Sequence, residues 1–367
     1  MVTQTGPVTT RDRMAWLSTV LLLLAAFLLG LMITPRLIAW APRLGLVQSP
    51  NERSSHVVPT PSGGGLAIAL AALACGLVLL AIGQFPLPAG LWLLLGSVIA
   101  GLGFADDAWD LSPAIRLLVQ IVIVSATVAL AWPLPELPLW LYRLSGPALG
   151  IVIVLAGLWW LNLFNFMDGI DGLAGSQAIL ILAGALGLWL SVDSSATGHP
   201  IWLLGAVTMA ATIGFLFSNW PPARIFMGDA GSNFLAFVIL AVMLTLVGSG
   251  IIGYGAVLAL AAVFISDATV TLVRRALRGE RPWAAHRQHA YQRLARRFGH
   301  RPVTLAYGLA TLLWALPLAV LAAKLPSFEW ILAAAAIVPL MITALAFGAG
   351  SPGDLPVPTS AQVDDEN

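Results

Sequence analysis

Long apolar runs alternate with short polar connections over most of the chain. The runs lie at about 14–34, 64–83, 89–105, 114–132, 147–163, 173–191, 201–217, 232–248, 251–273, 303–323 and 328–348. Most of them approach the roughly 20 residues that a helix needs to cross a bilayer. The pattern therefore predicts an all-α polytopic integral membrane protein with about eleven transmembrane helices. They form one domain, residues 1–349, and we expect a disordered polar tail at 350–367.

The composition indicates a chain that is solvated by lipid. Hydrophobic residues make up 59% of the sequence and charged residues 10%, whereas about a quarter of the residues of soluble domains are charged. The formal net charge of +1 leaves no basic excess for a phosphate backbone. The lipid bilayer is thus an expected partner and nucleic acid is not. Because Cys75 is the only cysteine, the chain forms no internal disulfide and no cysteine-based metal site.

The basic residues predict how the chain is oriented in the membrane. With eleven spans, most of the 18 lysines and arginines fall on one side, above all in the connection at about 274–302. Cytoplasmic connections of membrane proteins carry the excess of Lys and Arg, so we expect that side to be cytoplasmic. The N-terminus is then outside and the C-terminus is cytoplasmic.

The most polar interruption of the apolar pattern is LNLFNFMDGIDGLAGSQ at 161–177. Asn162, Asn165 and Asp168 are three residues apart, so they share one face of a helix, and Asp171 continues that row. A glycine follows each acid, which indicates a helix end where backbone can approach a ligand. Two amides and two carboxylates at the end of an apolar span predict a site for a hard cation or for phosphate and sugar. A capped helix end with a turn is the alternative.

Other connections on the same side carry further acids. Asp106 and Asp107 are adjacent, and two such carboxylates repel each other unless a cation or a shared proton lies between them. Asp229 follows Phe226, which offers a flat stacking surface, and Ser232 is placed to cap the next helix. Solvated loops and an ordinary helix cap are the alternatives for both stretches.

The arginine-rich connection at 274–302 contains two histidines. His286 and His289 are three residues apart, so we expect them on one helical face, with Arg293 one turn further on. Since the acids on this side suit a hard cation, phosphate binding is favoured over a transition-metal site. A basic amphipathic segment lying on anionic lipid is the alternative. His300 is interpreted as incidental.

Two further features are less specific. The stretch NERSSHVVPTPSGGG at 51–65 is rich in glycine and offers backbone amides to an anion, although an ordinary linker has the same composition. Asp267 lies inside the ninth apolar run, where an acid is a functional candidate by default. Its alternatives are an ion pair with Arg274 or Arg275, or a role in an ion-coupled membrane transporter.

The predicted topology brings acids, histidines and the glycine-rich loop to one face of the membrane. Crowded acids need a divalent ion, and basic and imidazole groups suit a polyanionic substrate. The combination predicts phosphoryl transfer at a membrane surface. The transporter is disfavoured because the acids gather at one face instead of the midplane and because no internal repeat is visible.

The ordered motifs resemble the polyprenyl-phosphate N-acetylhexosamine-1-phosphate transferase superfamily, glycosyltransferase family 4. The similarity covers residues from about 35 to 300. In the family's order, the motifs are the Asp106–Asp107 pair, NxxNxxDGxDGLA from Asn162, FMGDAGS from Phe226, and the two histidines. Members of this family transfer a sugar 1-phosphate from a UDP-sugar to a polyprenyl phosphate, release UMP, and require Mg2+ or Mn2+.

The resemblance implies a role for each matching residue. It implies that Asp229 is the principal metal ligand, that Asp106 acts as a base or a nucleophile beside Asp107, and that Phe226 stacks on uracil. The implied catalytic residues are Asp106, Asp107, Asp229, His286 and His289. The implied substrate-binding residues are Asn165, Asp168, Gly169, Asp171, Asn219 and Phe226.

The histidine motif distinguishes branches of the family. HRQHAYQRL resembles the bacterial branch that initiates O-antigen synthesis, whereas the peptidoglycan branch has consecutive histidines there. The resemblance therefore implies transfer from a UDP-N-acetylhexosamine to undecaprenyl phosphate in the bacterial inner membrane, by a catalytic domain at 1–349 with its site on the cytoplasmic face. A phospho-N-acetylmuramoyl-pentapeptide translocase is the alternative, and a homodimer is an assembly that the resemblance allows.

Two departures from the family pattern concern phosphate binding. Ser62 stands where a basic residue is common in this branch, and Asp110 stands where the peptidoglycan branch has a lysine. Either an arginine of the 274–302 connection compensates for the missing positive charge, or the substrate affinity differs from that of the family. Direct in-line attack by the lipid phosphate and a two-step route through Asp106 are both open at this point.

Overall fold

The computed structural model describes residues 10–48, 59–139, 142–281 and 286–352, and helices dominate all four ranges. The helices are α1 Thr10–Trp40, α2 Leu66–Ala81, α3 Gly90–Trp109, α4 Pro113–Leu130, α5 Gly146–Phe166, α6 Leu173–Val192, α7 Pro200–Asn219, α8 Gly228–Gly248, α9 Tyr254–Leu260, α10 Ala262–Leu277, α11 Ala290–Phe298, α12 His300–Ala310, α13 Leu316–Lys324 and α14 Glu329–Ala346. This architecture confirms the prediction of an all-α polytopic membrane protein.

Within the described ranges, nine helical segments are long and apolar enough to cross a membrane. One of them, His300–Lys324, consists of α12 and α13 joined by a π-helical turn at Thr311–Ala315. A tenth candidate is the pair α9 and α10, which is bent by 79°. The remaining predicted span corresponds to α2, which is a shorter apolar helix. The count of eleven and the orientation stay predictions, and residues 353–367 of the predicted tail lie outside the described residues.

The centre of the bundle is α8. After Asp229 its sequence contains no charged residue and is apolar on every side, as expected for a helix that other helices surround. It is buried along almost its whole length and packs against α2, α3, α5, α6 and α7. By contrast, α1 and the helices from α12 to α14 are mostly exposed and form the outer, lipid-facing part of the bundle. The start of α8 is therefore held from several sides.

Two short antiparallel hairpins complete the described structure. The strand β1 Val47–Gln48 pairs with β2 Thr60–Pro61, and β3 Leu137–Leu139 pairs with β4 Tyr142–Leu144. The first hairpin precedes α2, and the second joins α4 to α5. Since consecutive spans run in opposite directions, the ends of α3, α5, α7 and α10 meet the starts of α4, α6 and α8 at one end of the bundle. We call it the polar end.

Candidate active site at the polar end of the bundle

The start of α8 is capped by a side chain of another helix. The Asp107 carboxylate, on α3, accepts hydrogen bonds from the backbone N–H groups of Asp229 at 2.9 Å and Ala230 at 3.1 Å. Those N–H groups have no partner within α8, so Asp107 satisfies them and complements the helix dipole. The prediction that Ser232 caps this helix is wrong, because Ser232 lies inside α8. Asp107 thus fixes the position of Asp229.

The other member of the acid pair faces an arginine. The Asp106 carboxylate accepts the Leu111 N–H at 2.9 Å and forms an ion pair with Arg116 at 2.5 Å. The same Arg116 guanidinium lies 3.7 Å from Oδ2 of Asp229. Arg116 therefore bridges two of the predicted catalytic acids. It brings a positive charge to the site from α4. Compensation by an arginine of the 274–302 connection stays a prediction.

Sequence reasoning did not include Arg116 among the site residues. It stands one turn into α4, whose start is marked by Ser112, the N-cap, and by a proline in the first turn. An arginine in the first turn of a transmembrane helix, ten residues after an acid pair, is a signal that was available in the sequence.

A chain of amide side chains leads from α5 to the backbone of Asp229. Asn162 donates to Gln120 at 3.0 Å, Gln120 donates to Asn233 at 3.2 Å, and Asn233 donates to the carbonyl oxygen of Asp229 at 2.9 Å. Asn165 extends from the same helix and donates to Ser232 at 3.3 Å. These contacts link α4, α5 and α8 around the acid, and sequence reasoning had not connected Gln120 and Asn233 with the site.

Asp168 lies in the turn after α5, not on its face. The helix ends at Phe166, so the predicted polar row continues on the helix only as far as Asn165. Within the described residues, no donor hydrogen-bonds to the Asp168 carboxylate. Burial, followed by the charges of Asp229, Asp107 and Asp171, raises the pKa of Asp168 well above its ordinary value.

The remaining residues of the 161–177 motif fasten neighbouring loops. The Asp171 carboxylate accepts the Ala223 N–H at 3.0 Å and lies 3.2 Å from Nδ1 of His300. The interpretation of His300 as incidental is therefore wrong. Asn219 accepts the Gly172 N–H at 3.0 Å and donates to the carbonyl oxygen of Ile225 at 2.9 Å. Asp171 and Asn219 are thus used to join the ends of α5, α7 and α12.

The loop that carries Phe226 lies beside the glycine-rich loop. The Phe226 N–H donates to the carbonyl oxygen of Pro61 at 2.8 Å, and the Phe226 carbonyl accepts the Gly64 N–H at 2.9 Å. The Phe226 side chain is half-buried. Some backbone amides of the glycine-rich loop are therefore hydrogen-bonded to the neighbouring loop instead of being open to an anion. Residues 51–58 of this stretch lie outside the described residues.

The two histidines are close together but do not share a helical face. α11 begins after His289, which is its N-cap residue, and His286 lies in the segment before the helix. The centroids of the two rings are 4.9 Å apart. Burial, together with the charges of His289 and Arg275, lowers the pKa of His286 to about 3, so its imidazole is neutral. The prediction of one helical face with Arg293 is wrong, although the two side chains are neighbours as expected.

Asp267 has no ion pair with either arginine of its helix. Arg274 donates to the carbonyl oxygen of Ala349 at 2.7 Å, and Arg275 pairs with Glu280 at 2.8 Å. Asp267 instead contacts the residues at the start of α11. The interpretation of Asp267 as a partner of Arg274 or Arg275 is therefore wrong.

A groove leads from the acids into the membrane-facing side of the bundle. It is a cavity of about 590 Å³ between α3, α4 and α5. Its polar wall consists of Asp106, Arg116, Gln120, Asn162, Asn165, Asp229 and Asn233. Its apolar wall includes Leu102, Leu117, Leu158 and Trp159. A second, apolar cavity of about 870 Å³ continues along α4 and α5 and shares Leu155 with the first. The arrangement suits a molecule with an anionic head and a long apolar chain.

The oxygen ligands at the polar end suit a magnesium ion. No group of three carboxylates or imidazoles converges at metal-ligand distance within the described ranges, so they contain no closed metal cage. Mg2+ is usually held by one or two carboxylates together with water and substrate phosphates. Asp229, which lines the groove, and the buried Asp168, whose pKa is raised in part by the charge of Asp229, provide such a set of hard ligands.

Comparisons with known proteins agree with these motifs. Residues 89–247 match the model of glycosyl transferase family 4, a segment that includes all the motifs except the histidines. The decaprenyl-phosphate N-acetylglucosaminephosphotransferase of Mycobacterium tuberculosis (strain CDC 1551 / Oshkosh) is 32% identical over 302 residues, which are 72% of this chain and 73% of that protein. The undecaprenyl-phosphate alpha-N-acetylglucosaminyl 1-phosphate transferase of Yersinia pestis is 28% identical over 297 residues, 76% of this chain and 77% of that protein. The protein of the same name from Escherichia coli O157:H7 is 29% identical over 270 residues, 70% of this chain and 71% of that protein.

Proposed function

The chain belongs to glycosyl transferase family 4, the polyprenyl-phosphate N-acetylhexosamine-1-phosphate transferases, and on that premise we propose the reaction that it catalyses. It transfers an N-acetylhexosamine 1-phosphate from a UDP-sugar to undecaprenyl phosphate, and the products are a polyprenyl diphosphate sugar and UMP. The proposal rests above all on Arg116, which bridges Asp106 and Asp229 at the head of an apolar groove. A cation between acids at the end of a lipid-sized groove suits a lipid phosphate.

In the proposed reaction, a phosphate oxygen of the acceptor attacks the β-phosphorus of the UDP-sugar in line. The new phosphorus–oxygen bond forms as the bond to the bridging oxygen breaks, and UMP leaves. The acceptor needs little activation, because the second pKa of a phosphate monoester is about 6 and the dianion predominates at neutral pH. Arg116 binds the acceptor phosphate and stabilises charge that spreads over the transferred phosphoryl group.

The contacts of Asp106 favour this direct route over a covalent intermediate. One oxygen of its carboxylate accepts the Leu111 N–H and the other pairs with Arg116. A carboxylate with both oxygens engaged is a poor nucleophile, and we propose that Asp106 orients Arg116 instead. Asp229 and Asp168 are the proposed ligands of Mg2+, which would neutralise the diphosphate when it is bound.

The proposed site accounts for a soluble donor and a lipid-anchored acceptor. The donor reaches the polar end from the aqueous side, which we propose is the cytoplasm. The acceptor reaches it along the groove between α4 and α5. The relatives named above act with N-acetylglucosamine on polyprenyl phosphates, as their names state, so UDP-N-acetylglucosamine is the first donor to test. Initiation of O-antigen synthesis in a bacterial inner membrane is the proposed biological role.

The proposed activity is tested by UMP release. Purified protein is given undecaprenyl phosphate, Mg2+ and each of several UDP-N-acetylhexosamines, and Asp229→Ala is the paired variant. We expect UMP release that requires both the lipid and the metal, that stops with EDTA, and that falls at least about a hundredfold in the variant. If folded protein released no UMP with these donors or with the UDP-muramyl-pentapeptide, the transferase proposal would be rejected and ion transport would be tested next.

The groove predicts a dependence on acceptor chain length. Gly150 lines the second, apolar cavity that continues the groove along α4 and α5, and a Cβ atom there would meet only a Trp132 ring carbon at 3.8 Å, so Gly150→Leu fits and fills that cavity. We expect the KM for undecaprenyl phosphate to rise about tenfold, while the KM for an acceptor with only a few isoprene units stays constant. Gly187→Leu, on α6 with no heavy atom within 4 Å of its Cβ position, is the control. Equal KM changes for long and short acceptors would contradict the proposed lipid path.

A further inference from the structure

Asp267 is a buried acid to which the proposed reaction gives no role. It lies on α10 and its exposed fraction is 2%. Its carboxylate accepts hydrogen bonds from the backbone N–H groups of Ala290 and Tyr291, both at 2.9 Å, and from the Tyr307 hydroxyl at 2.6 Å. The first N–H groups of a helix have no partner within that helix. Asp267 therefore caps α11 from another helix and fixes where it begins.

His289 is the residue that immediately precedes this capped start. Its Nδ1 lies 3.5 Å from Oδ1 of Asp267, and its backbone N–H donates to the Gln292 side chain at 3.3 Å. The residue is 2% exposed, and its side chain contacts the Asp267 carboxylate. A ring that is enclosed to this degree does not meet a soluble nucleotide, and it faces the Asp267 carboxylate.

His286 is the outer member of the pair. It is half-buried, and its ring lies over that of His289 with 31° between the ring planes. Its Nδ1 accepts the Gln288 N–H at 3.3 Å, so the neutral ring carries its proton on Nε2, on the side away from the backbone. His286 therefore presents a hydrogen-bond donor, which is the group that a diphosphate oxygen accepts from.

A third contact connects the histidines to the acids. The His289 ring is stacked on Tyr291, with centroids 5.5 Å apart and 25° between the planes. The Tyr291 hydroxyl donates to the carbonyl oxygen of Phe166 at 2.9 Å, two residues before Asp168. The position of α11 thus sets the distance between the histidines and the turn that holds Asp168.

We propose that Asp267 and His289 are positioning residues and that His286 alone of the two histidines contacts the substrate, at the diphosphate of the nucleotide sugar. Asp267 holds His289 through Nδ1, and His289 supports the ring of His286. The inference rests on the proposed transferase function for the identity of the substrate. The two histidines are equivalent in the sequence motif, but in this proposal His286 contacts the substrate and His289 positions His286.

The two nitrogens of a histidine can be replaced separately. An asparagine amide reproduces a donor near Nδ1, and a glutamine amide reproduces a donor near Nε2. We expect His289→Asn to keep kcat/KM within about threefold of the wild-type value and His289→Gln to lose about tenfold or more. For His286 the order is reversed, and His286→Asn raises the KM for the UDP-sugar more than His286→Gln does. Equal or better function of His289→Gln would overturn the inference.

A double substitution distinguishes positioning from a general structural effect. If Asp267 acts through His286, Asp267→Asn raises the KM for the UDP-sugar, and the change is not additive with that of His286→Asn. Additive losses in kcat/KM would mean that Asp267 only supports the fold, and the inference would be wrong.

The melting temperature of the purified variants provides a readout that does not need activity. We expect His289→Asn to melt close to the wild type and His289→Gln several degrees lower, because only asparagine keeps a donor toward Asp267. If the wild type releases no UMP, the proposed function fails, while the order of melting temperatures still tests the contact between Asp267 and His289. The reverse order of melting temperatures would overturn that contact.

Discussion

Gly103→Ala is expected to lower UMP release at least about a hundredfold. A Cβ atom at Gly103 would overlap the backbone of Asp229, since the nearest atoms are the carbonyl group of Asp229 and the nitrogen of Ala230. These are backbone atoms in the first turn of α8, so they cannot rotate away, and α3 and α8 must move apart instead. A displacement of roughly 1 Å in a catalytic group reduces rates by about two orders of magnitude. Steady-state UMP release by the purified variant measures the effect.

Gly101 provides a matched control on the same helix. A Cβ atom there has no heavy atom within 4 Å, so Gly101→Ala adds the same methyl group to α3 without touching α8. We expect it to retain wild-type turnover. Comparable loss in both variants would indicate that α3 tolerates no alanine for reasons of helix stability, whereas full activity of Gly103→Ala would contradict the close packing of α3 on the Asp229 turn.

The hydrophobic pattern predicts the helices well because the bilayer interior restricts each membrane-spanning segment to a helix. A chain inside lipid must satisfy its backbone groups within each segment, so a long apolar run is almost necessarily a helix. The broken pair α9 and α10 is the exception. Its run is continuous in sequence, and the 79° bend depends on packing that the hydrophobic pattern does not encode.

The candidate site was predictable as a set of polar residues but not as a set of roles. Asp106 and Asp107 are neighbours in sequence, yet one faces Arg116 and the other caps α8. The sequence does not tell which partner each carboxylate contacts, because successive side chains of a helix point in different directions. The role of Asp267 also depends on a contact across more than twenty residues, with the N–H groups of Ala290 and Tyr291.

The spacing of the histidine motif predicts a helix that the structure does not form there. A spacing of three residues from His286 to His289 fits one helical face, but the helix starts only after His289. A signal for that start was present, since Gln292 follows His289 at the interval of a capping box, and its side chain accepts the His289 N–H. Histidine is an uncommon N-cap, which is why the pattern favoured a longer helix.

Gly169 lies directly against the Tyr291 side chain. A Cβ atom at Gly169 would overlap the Tyr291 hydroxyl, and the next ring atom, Cζ, would lie 3.1 Å away. Because Tyr291 is completely buried and its hydroxyl donates to the carbonyl oxygen of Phe166, it has no space into which to retreat. We expect Gly169→Ala to lower kcat/KM at least about fiftyfold, as the turn that holds Asp168 is displaced.

Removal of the Tyr291 hydroxyl should restore most of the activity that Gly169→Ala loses. Tyr291→Phe alone removes one hydrogen bond and is expected to reduce kcat/KM only about fivefold. In the double variant Gly169→Ala/Tyr291→Phe the alanine methyl group gains the space of the missing oxygen, so kcat/KM should return to within a few fold of that of Tyr291→Phe. Measurement of UMP release by all four proteins gives the coupling between the two positions. A double variant as inactive as Gly169→Ala would mean that the glycine is needed for a contact with substrate rather than for its fit against Tyr291. In that case the 166–172 loop, not its packing on α11, would determine how Asp168 is placed.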